Sequence, residues 1–184
     1  VDNLPEQVQK SLYESGLDAT SLILEITESS AMQNANQTIR IFEKLRKIGV
    51  VISIDDFGTG YSSLSYLHRL PFDSLKIDRS FVSSVNEQSE NAKILQTIVS
   101  LAQNLKLRIV AEGIETHEQL NILQNLQCDL GQGFLFSKPL PKDELENLLY
   151  EKSQWIPSEI KSIDAMDLAR DIPQDILKES LRVF

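Results

Sequence analysis

The chain has 184 residues, a formal net charge of −9 and 41% apolar residues, a balance that suits one domain with a real core and excludes a disordered or low-complexity chain. The acidic balance argues against a DNA or RNA duplex binder, which needs clustered Lys and Arg, and admits a small anionic ligand only where a metal supplies positive charge. No apolar run reaches the ~18 residues of a membrane span, no signal-peptide pattern opens the chain, and the single Cys128 excludes an internal disulfide and a cysteine zinc cage.

In chain order, "LPEQVQKSLYESG" reads as a helix with Pro5 in its first turn and Gly16 past its end. "LILEITE" is strand-like. Residues 34–48 carry Ile39, Phe42, Leu45 and Ile48 at helical spacing and close on Gly49. "VVISID" is a strand, "YSSLSYLHRL" a short helix stopped by Pro71, and "SLKID" a strand. "SENAKILQTIVSLAQNL" is an amphipathic helix with Leu95, Ile98, Val99 and Leu105 as its core stripe. The strand "LRIVAEG", a helix capped by Thr116, the strand "CDLGQGF" and the helix "PKDELENLLYEK" follow. Cys128 reads as a small buried residue at a strand start.

These are five strand–helix units of roughly 26 residues, the pattern of a parallel sheet covered by helices. A (β/α)₈ barrel uses about 30 residues per unit, so the unit length fits while the count is about three short. A doubly wound open sheet also accommodates five units, and periodicity does not choose between the two. Residues 1–152 are taken as this domain. Residues 153–184, with two prolines and weaker periodicity, are taken as an appended helical segment.

Each strand ends in ionisable or polar residues at its C-terminal end: Glu25 and Glu28, Asp55 and Asp56, Lys76 and Asp78, Glu112 and Glu115, and Gln132. In parallel α/β folds these ends and the loops after them carry the chemistry. Strand ends are wet and carry some charge in any protein, which accounts for two or three of the five. Seven carboxylates near one rim repel one another and take up protons unless cations sit among them, and carboxylate oxygens suit Mg²⁺ or Mn²⁺. Adjacent aspartates can serve different ions of a close pair, about 3.5–4 Å apart. The alternative for Asp56 alone is a turn residue bonding the backbone ahead of "FGTG". Lys76 leaves the same strand face as Asp78; it either offsets phosphate charge and orients a water, or forms a simple ion pair. "DFG" also occurs in protein kinases, but their glycine-rich loop and "HRD" are both absent. His68 and His117 lack partners at ligand spacing and read as surface residues.

Together, "EITES", "DDFGTGYSSL", "PFDSLKIDRSFV", "VAEGIET" and "QGFLFSKPL" resemble the EAL family of cyclic di-GMP phosphodiesterases, in order and spacing, over about residues 4–150. The resemblance implies a modified TIM barrel with one reversed strand, and Mg²⁺- or Mn²⁺-dependent hydrolysis of one phosphodiester of cyclic di-GMP to linear pGpG in bacterial second-messenger signalling. It implies that Glu25 and Asp55 are metal ligands, Asp56 a ligand of a second metal, and Glu112 a ligand and general base. Lys76 matches the lysine that positions the attacking water, and Glu28 the glutamate that braces the "DFGTG" loop. Glu115, Gln132 and Asp78 match supporting or site-lining positions. The family's first third has no counterpart here. It holds the Glu-Ala-Leu signature with its metal-binding Glu, a substrate-contacting Arg and a metal-binding Asn. A fragment of a longer protein or a true truncation is therefore expected, and a non-catalytic cyclic di-GMP-binding or interaction module is the alternative function. A homodimer, upstream regulatory domains and a cytoplasmic location, tethered to a membrane in the parent protein or not, complete the expectations.

Overall fold

The structure, a computed structural model, describes residues 3–60, 67–86 and 90–151. Most of the short helix expected before Pro71 and the expected helical segment 153–184 lie outside the described residues.

Helix α1 (Leu4–Ser15) ends where Gly16 adopts φ 70° and donates its N–H to the Leu12 carbonyl, the left-handed cap that a glycine takes without steric cost. Strand β1 (Ile23–Thr27) is followed by α2 (Glu28–Gln33) and α3 (Ala35–Ile48). Then come β2 (Val51–Phe57), β3 (Ser74–Ile77), α4 (Arg79–Ser83), α5 (Glu90–Asn104), β4 (Arg108–Glu112), α6 (His117–Asn125), β5 (Leu130–Gln132) and α7 (Lys142–Glu151). Two short helices, α2 and α4, are additional to the sequence pattern. Each is a turn or so long and starts on a capping hydroxyl or carboxylate, Thr27 or Asp78. Such an element has no periodicity to read.

The described strands form one sheet in the order β1-β2-β3-β4-β5, every pair parallel. A doubly wound sheet reverses its strand order at a switch point; here each strand adds beside its predecessor, the order of a barrel wall. Alternation divides each strand in two. Ile52, Ile54, Leu75, Ile77, Ile109 and Ala111 are almost wholly buried and join one apolar core with Phe42 and Leu45 of α3, Leu95, Val99 and Ala102 of α5 and Leu123 of α6. Phe42 meets Phe72 edge to face at 5.7 Å between centroids. The alternate positions carry the polar side chains: Glu25, Ser53, Asp55, Ser74, Lys76, Arg108, Glu112 and Gln132 share the other face of the sheet, interrupted by the apolar Val51 and Val110.

Candidate active site

Four neighbouring strands deliver one side chain each to a single point. The Lys76 ammonium lies 2.6 Å from Glu112 Oε1, 2.9 Å from Glu25 Oε1 and 3.3 Å from Asp55 Oδ1, and its side chain is 3% exposed. Burial pushes an ammonium's pKa down, but the hydrogen bonds that Lys76 donates to Glu112 and Glu25 and the charges of Glu112 and Asp55 outweigh it, so Lys76 titrates above its ordinary value. Asp55 Oδ1 is within ion-pair range, yet it is buried and no hydrogen-bond donor is aligned on it. Three carboxylates against one ammonium leave two negative charges in the cluster.

Asp56 follows from a defect in the strand. Consecutive residues of a regular strand point to opposite faces. Here the β2–β3 register slips between Ile54 and Phe57, and Asp56 takes a left-handed φ of 53°. This is a bulge on one of the few residue types that tolerates that conformation. Asp56 consequently stays among the rim charges. Burial raises its pKa first, then the charges of Asp55 and Asp78, with Lys76 opposing them. The turn that follows is held from outside the strand. Glu28, 2% exposed, accepts the Gly58 N–H at 2.9 Å, and a Cβ on Gly60 would sit 2.8 Å from Glu28 Oε1.

The remaining expected site residues are more peripheral. Asp78 accepts the Ser80 N–H at 3.0 Å as the cap of α4. Burial pushes its pKa up, but the Ser80 hydroxyl, the Ser80 and Arg79 amides and the Arg79 charge outweigh it and hold the carboxyl below its usual value. Gln132 pairs in register with Glu112, which puts it on the same rim. Glu115 is exposed, and its N–H donates to Gln119 Oε1 at 2.8 Å; the structure does not bring it to the Lys76 cluster. His68 lies in an exposed turn and His117 is exposed at the start of α6. Burial and the Asp129 charge push the Cys128 thiol up to about 12, far from a reactive thiolate.

Three residues contribute that the sequence pattern passed over. Ser53 is 2% exposed, lies two residues before Asp55 on the same strand face and opposes Glu25 in the β1–β2 register; its Oγ has no hydrogen-bond partner among the described residues. Its signal is a serine inside a β-branched run at the parity of the aspartate. Gln119 completes a capping box with Thr116, and its Nε2 reaches the Ser83 carbonyl at 3.3 Å, tying α6 to α4. Gly133 is fixed by packing: a Cβ there would fall 2.1 Å from the Ile114 carbonyl oxygen.

No His, Cys, Asp or Glu trio among the described residues already encloses a cation-sized point; the carboxylates are spread about the ammonium instead. The donor chemistry nevertheless fits a hard divalent cation. The oxygens are all carboxylate, the cluster carries surplus negative charge, and the buried Asp55 Oδ1 has no aligned hydrogen-bond donor among the described residues.

A parallel barrel wall with an acidic, lysine-centred rim at the strands' C-terminal ends defines an α/β domain of TIM-barrel type. Within that class, the EAL domain description matches residues 2–139, and the chain belongs to that family. It is 50% identical over 147 residues, 80% of the chain, to the cyclic di-GMP phosphodiesterase NbdA of Pseudomonas aeruginosa. It is similar to the PaMucR phosphodiesterase solved as a c-di-GMP complex, with 48% identity, a TM-score of 0.75, and coverage of 78% of this chain and 58% of that one. It is also similar to Klebsiella pneumoniae BlrP1, solved with manganese and cyclic di-GMP, with 35% identity, a TM-score of 0.68, and coverage of 73% and 34%. The chain spans about a fifth of the length of the curated relatives it matches, 19% and 21% for the first two. No helix among the described residues is long and apolar enough to cross a membrane.

Proposed function

We propose that the chain carries the reacting core of a cyclic di-GMP phosphodiesterase that cleaves one phosphodiester to give linear pGpG with Mg²⁺ or Mn²⁺. One observation carries the reading: Lys76 is gathered with Glu25, Asp55 and Glu112 from four strand ends within 3.3 Å of one ammonium. Glu25, Asp55 and Glu112 would hold one divalent ion and Asp56 a second. When bound, such ions supply Lewis acidity and stabilise charge on the phosphate. The chain's own residues do the rest. Glu112 accepts a proton from the attacking water at a carboxylate oxygen. Lys76 orients that water and offsets phosphate charge through its ammonium. Glu28 fixes the Gly58–Gly60 turn that follows Asp56. In the balanced reaction the water's hydroxyl goes to phosphorus, one P–O bond breaks, and the leaving ribose oxygen takes the proton.

The binding-module alternative draws on the absence of a cation-ready acidic trio among the described residues. Incubating the chain with cyclic di-GMP and Mn²⁺ and quantifying pGpG by chromatography separates the two. Product that disappears in Asp55→Ala is expected. Tight nucleotide binding without product would favour the module. Homodimerisation and upstream regulatory partners belong to the same proposal. Among the described residues β1 and β5 each pair on one side only, and an open strand edge invites another chain.

A further inference from the structure

We propose that Ser53 is a positioning residue: its hydroxyl is the acceptor that takes the Lys76 ammonium when a divalent cation draws on Glu25, Asp55 and Glu112. This rests on the metal-site reading above and concerns what the chain must do to accommodate the ion.

Two observations meet here. First, among the described residues every acceptor in contact with Lys76 is one of the carboxylates that an ion would claim. A side chain that is 3% exposed has little water to turn to, and an ammonium left without acceptors in a buried site is costly. Second, the sheet keeps a buried hydroxyl without a partner beside that cluster. Ser53 Oγ is shielded from solvent and receives and donates no hydrogen bond among the described residues. A buried, unsatisfied hydroxyl destabilises a fold, and an alanine would fill the position without that cost.

The two groups are placed for each other. Lys76 Nζ already lies 2.9 Å from Glu25, the register partner of Ser53, and 3.3 Å from Asp55, two residues along the same face. A lysine's four-carbon stem permits a short swing of the ammonium at fixed backbone. The hydroxyl supplies two acceptor lone pairs, and its own O–H can then point at Asp55 Oδ1, the other buried oxygen on β2 without an aligned donor. Without metal, Lys76 holds the carboxylates together; with metal, Ser53 holds Lys76.

The test is a thermal-unfolding titration of the 184-residue chain with Mn²⁺ alone, comparing wild type, Ser53→Ala, Lys76→Met and the double variant. Metal-free Ser53→Ala is expected to melt at or above the wild-type temperature. Its Mn²⁺ midpoint should rise about five-fold, the worth of one net hydrogen bond. In the Lys76→Met background, Ser53→Ala should leave the midpoint unchanged. An unchanged midpoint in Ser53→Ala alone overturns the proposal, as does an equal loss in the Lys76→Met background, which would put the hydroxyl on the metal rather than on the lysine. Should Lys76→Met fail to fold, the Lys76 side-chain ¹⁵N signal decides. Mg²⁺ should move it in wild type and move it differently in Ser53→Ala; identical shifts overturn the proposal. Hydrolysis with an unchanged Ser53→Ala midpoint removes this inference alone. No Mn²⁺ response and no hydrolysis in wild type removes the metal-site reading with it.

Discussion

The two ends of the sheet use carboxylates in opposite ways. At the N-terminal ends, Asp73 accepts the Ile52 N–H at 2.9 Å and Asp129 accepts the Ile109 N–H at 2.7 Å. Each stands just before one strand and accepts the amide of the second residue of the strand before it. At the C-terminal ends, Glu25, Asp55 and Glu112 are held by a side chain, Lys76. A carboxylate bonded to backbone is fixed for as long as the fold persists, whereas one held by a side chain can exchange its partner. One end is built for permanence and the other for substitution.

The comparison breaks most severely at Lys76. Lys76→Met leaves three mostly buried carboxylates facing one another without a cation, and a loss of about 3–5 kcal/mol in metal-free stability is expected, read from urea unfolding. A loss below about 1 kcal/mol would show that the rim tolerates its charge unaided.

A paired substitution sharpens the contrast. Asp129→Ala deprives the Ile109 N–H of its acceptor and should cost about 1–2 kcal/mol while leaving turnover per folded molecule close to wild type. Asp55→Ala should abolish turnover at a smaller cost in stability, because it also relieves repulsion. If both variants lose stability and turnover in the same proportion, the two ends do not divide the labour.

Acidity gives a smaller effect. The Asp56 carboxyl titrates above its ordinary 3.8 because of burial and then its neighbours Asp55 and Asp78. The folded chain therefore takes up this proton before the unfolded chain does. The stabilisation is complete below 3.8 and is lost as pH rises through the raised value. Asp56→Asn should be more stable than wild type at pH 7, and that advantage should shrink on acidification. An advantage independent of pH, measured by urea midpoints, would count against the electrostatic account.

The smallest effect lies in the helix-to-strand turns. Gly49, Lys106 and Gln127 occupy equivalent left-handed positions after α3, α5 and α6, each followed by a residue whose N–H reaches back to the helix, as Val50 to Leu45, Leu107 to Ala102 and Cys128 to Leu123. Only the first is glycine. Lys106→Gly and Gln127→Gly should each stabilise by up to ~1 kcal/mol, seen as a raised melting temperature.

Much of this arrangement was legible in the sequence because it is written in local spacing. The α3 stripe, the Thr116 cap and the charge at each strand end need only neighbours a few positions away. The polar C-terminal ends of successive parallel strands likewise put Glu25, Asp55, Lys76 and Glu112 on one rim, where the structure gathers them. What escaped depends on partners far along the chain. Asp73 and Asp129 act on amides 21 and 20 residues distant, and Glu28 grips an amide 30 residues away. The left-handed turn of Asp56 arises from a register slip against β3, which no pattern within β2 announces. Ser53 was hidden for another reason: a serine in a strand is ordinary until its burial and its lack of a partner are seen.

Gln119 carries a last consequence. Its single carboxamide receives the N–H groups of Glu115 and Thr116 at 2.8 and 3.0 Å and reaches across to the Ser83 carbonyl. Two amides on an exposed loop are thereby secured by a helix, and that helix is secured to its neighbour. Their hydrogens will exchange with solvent at the pace at which α6 detaches from α4, not at the pace of a surface loop. The segment that leads away from Glu112 thus keeps time with the scaffold.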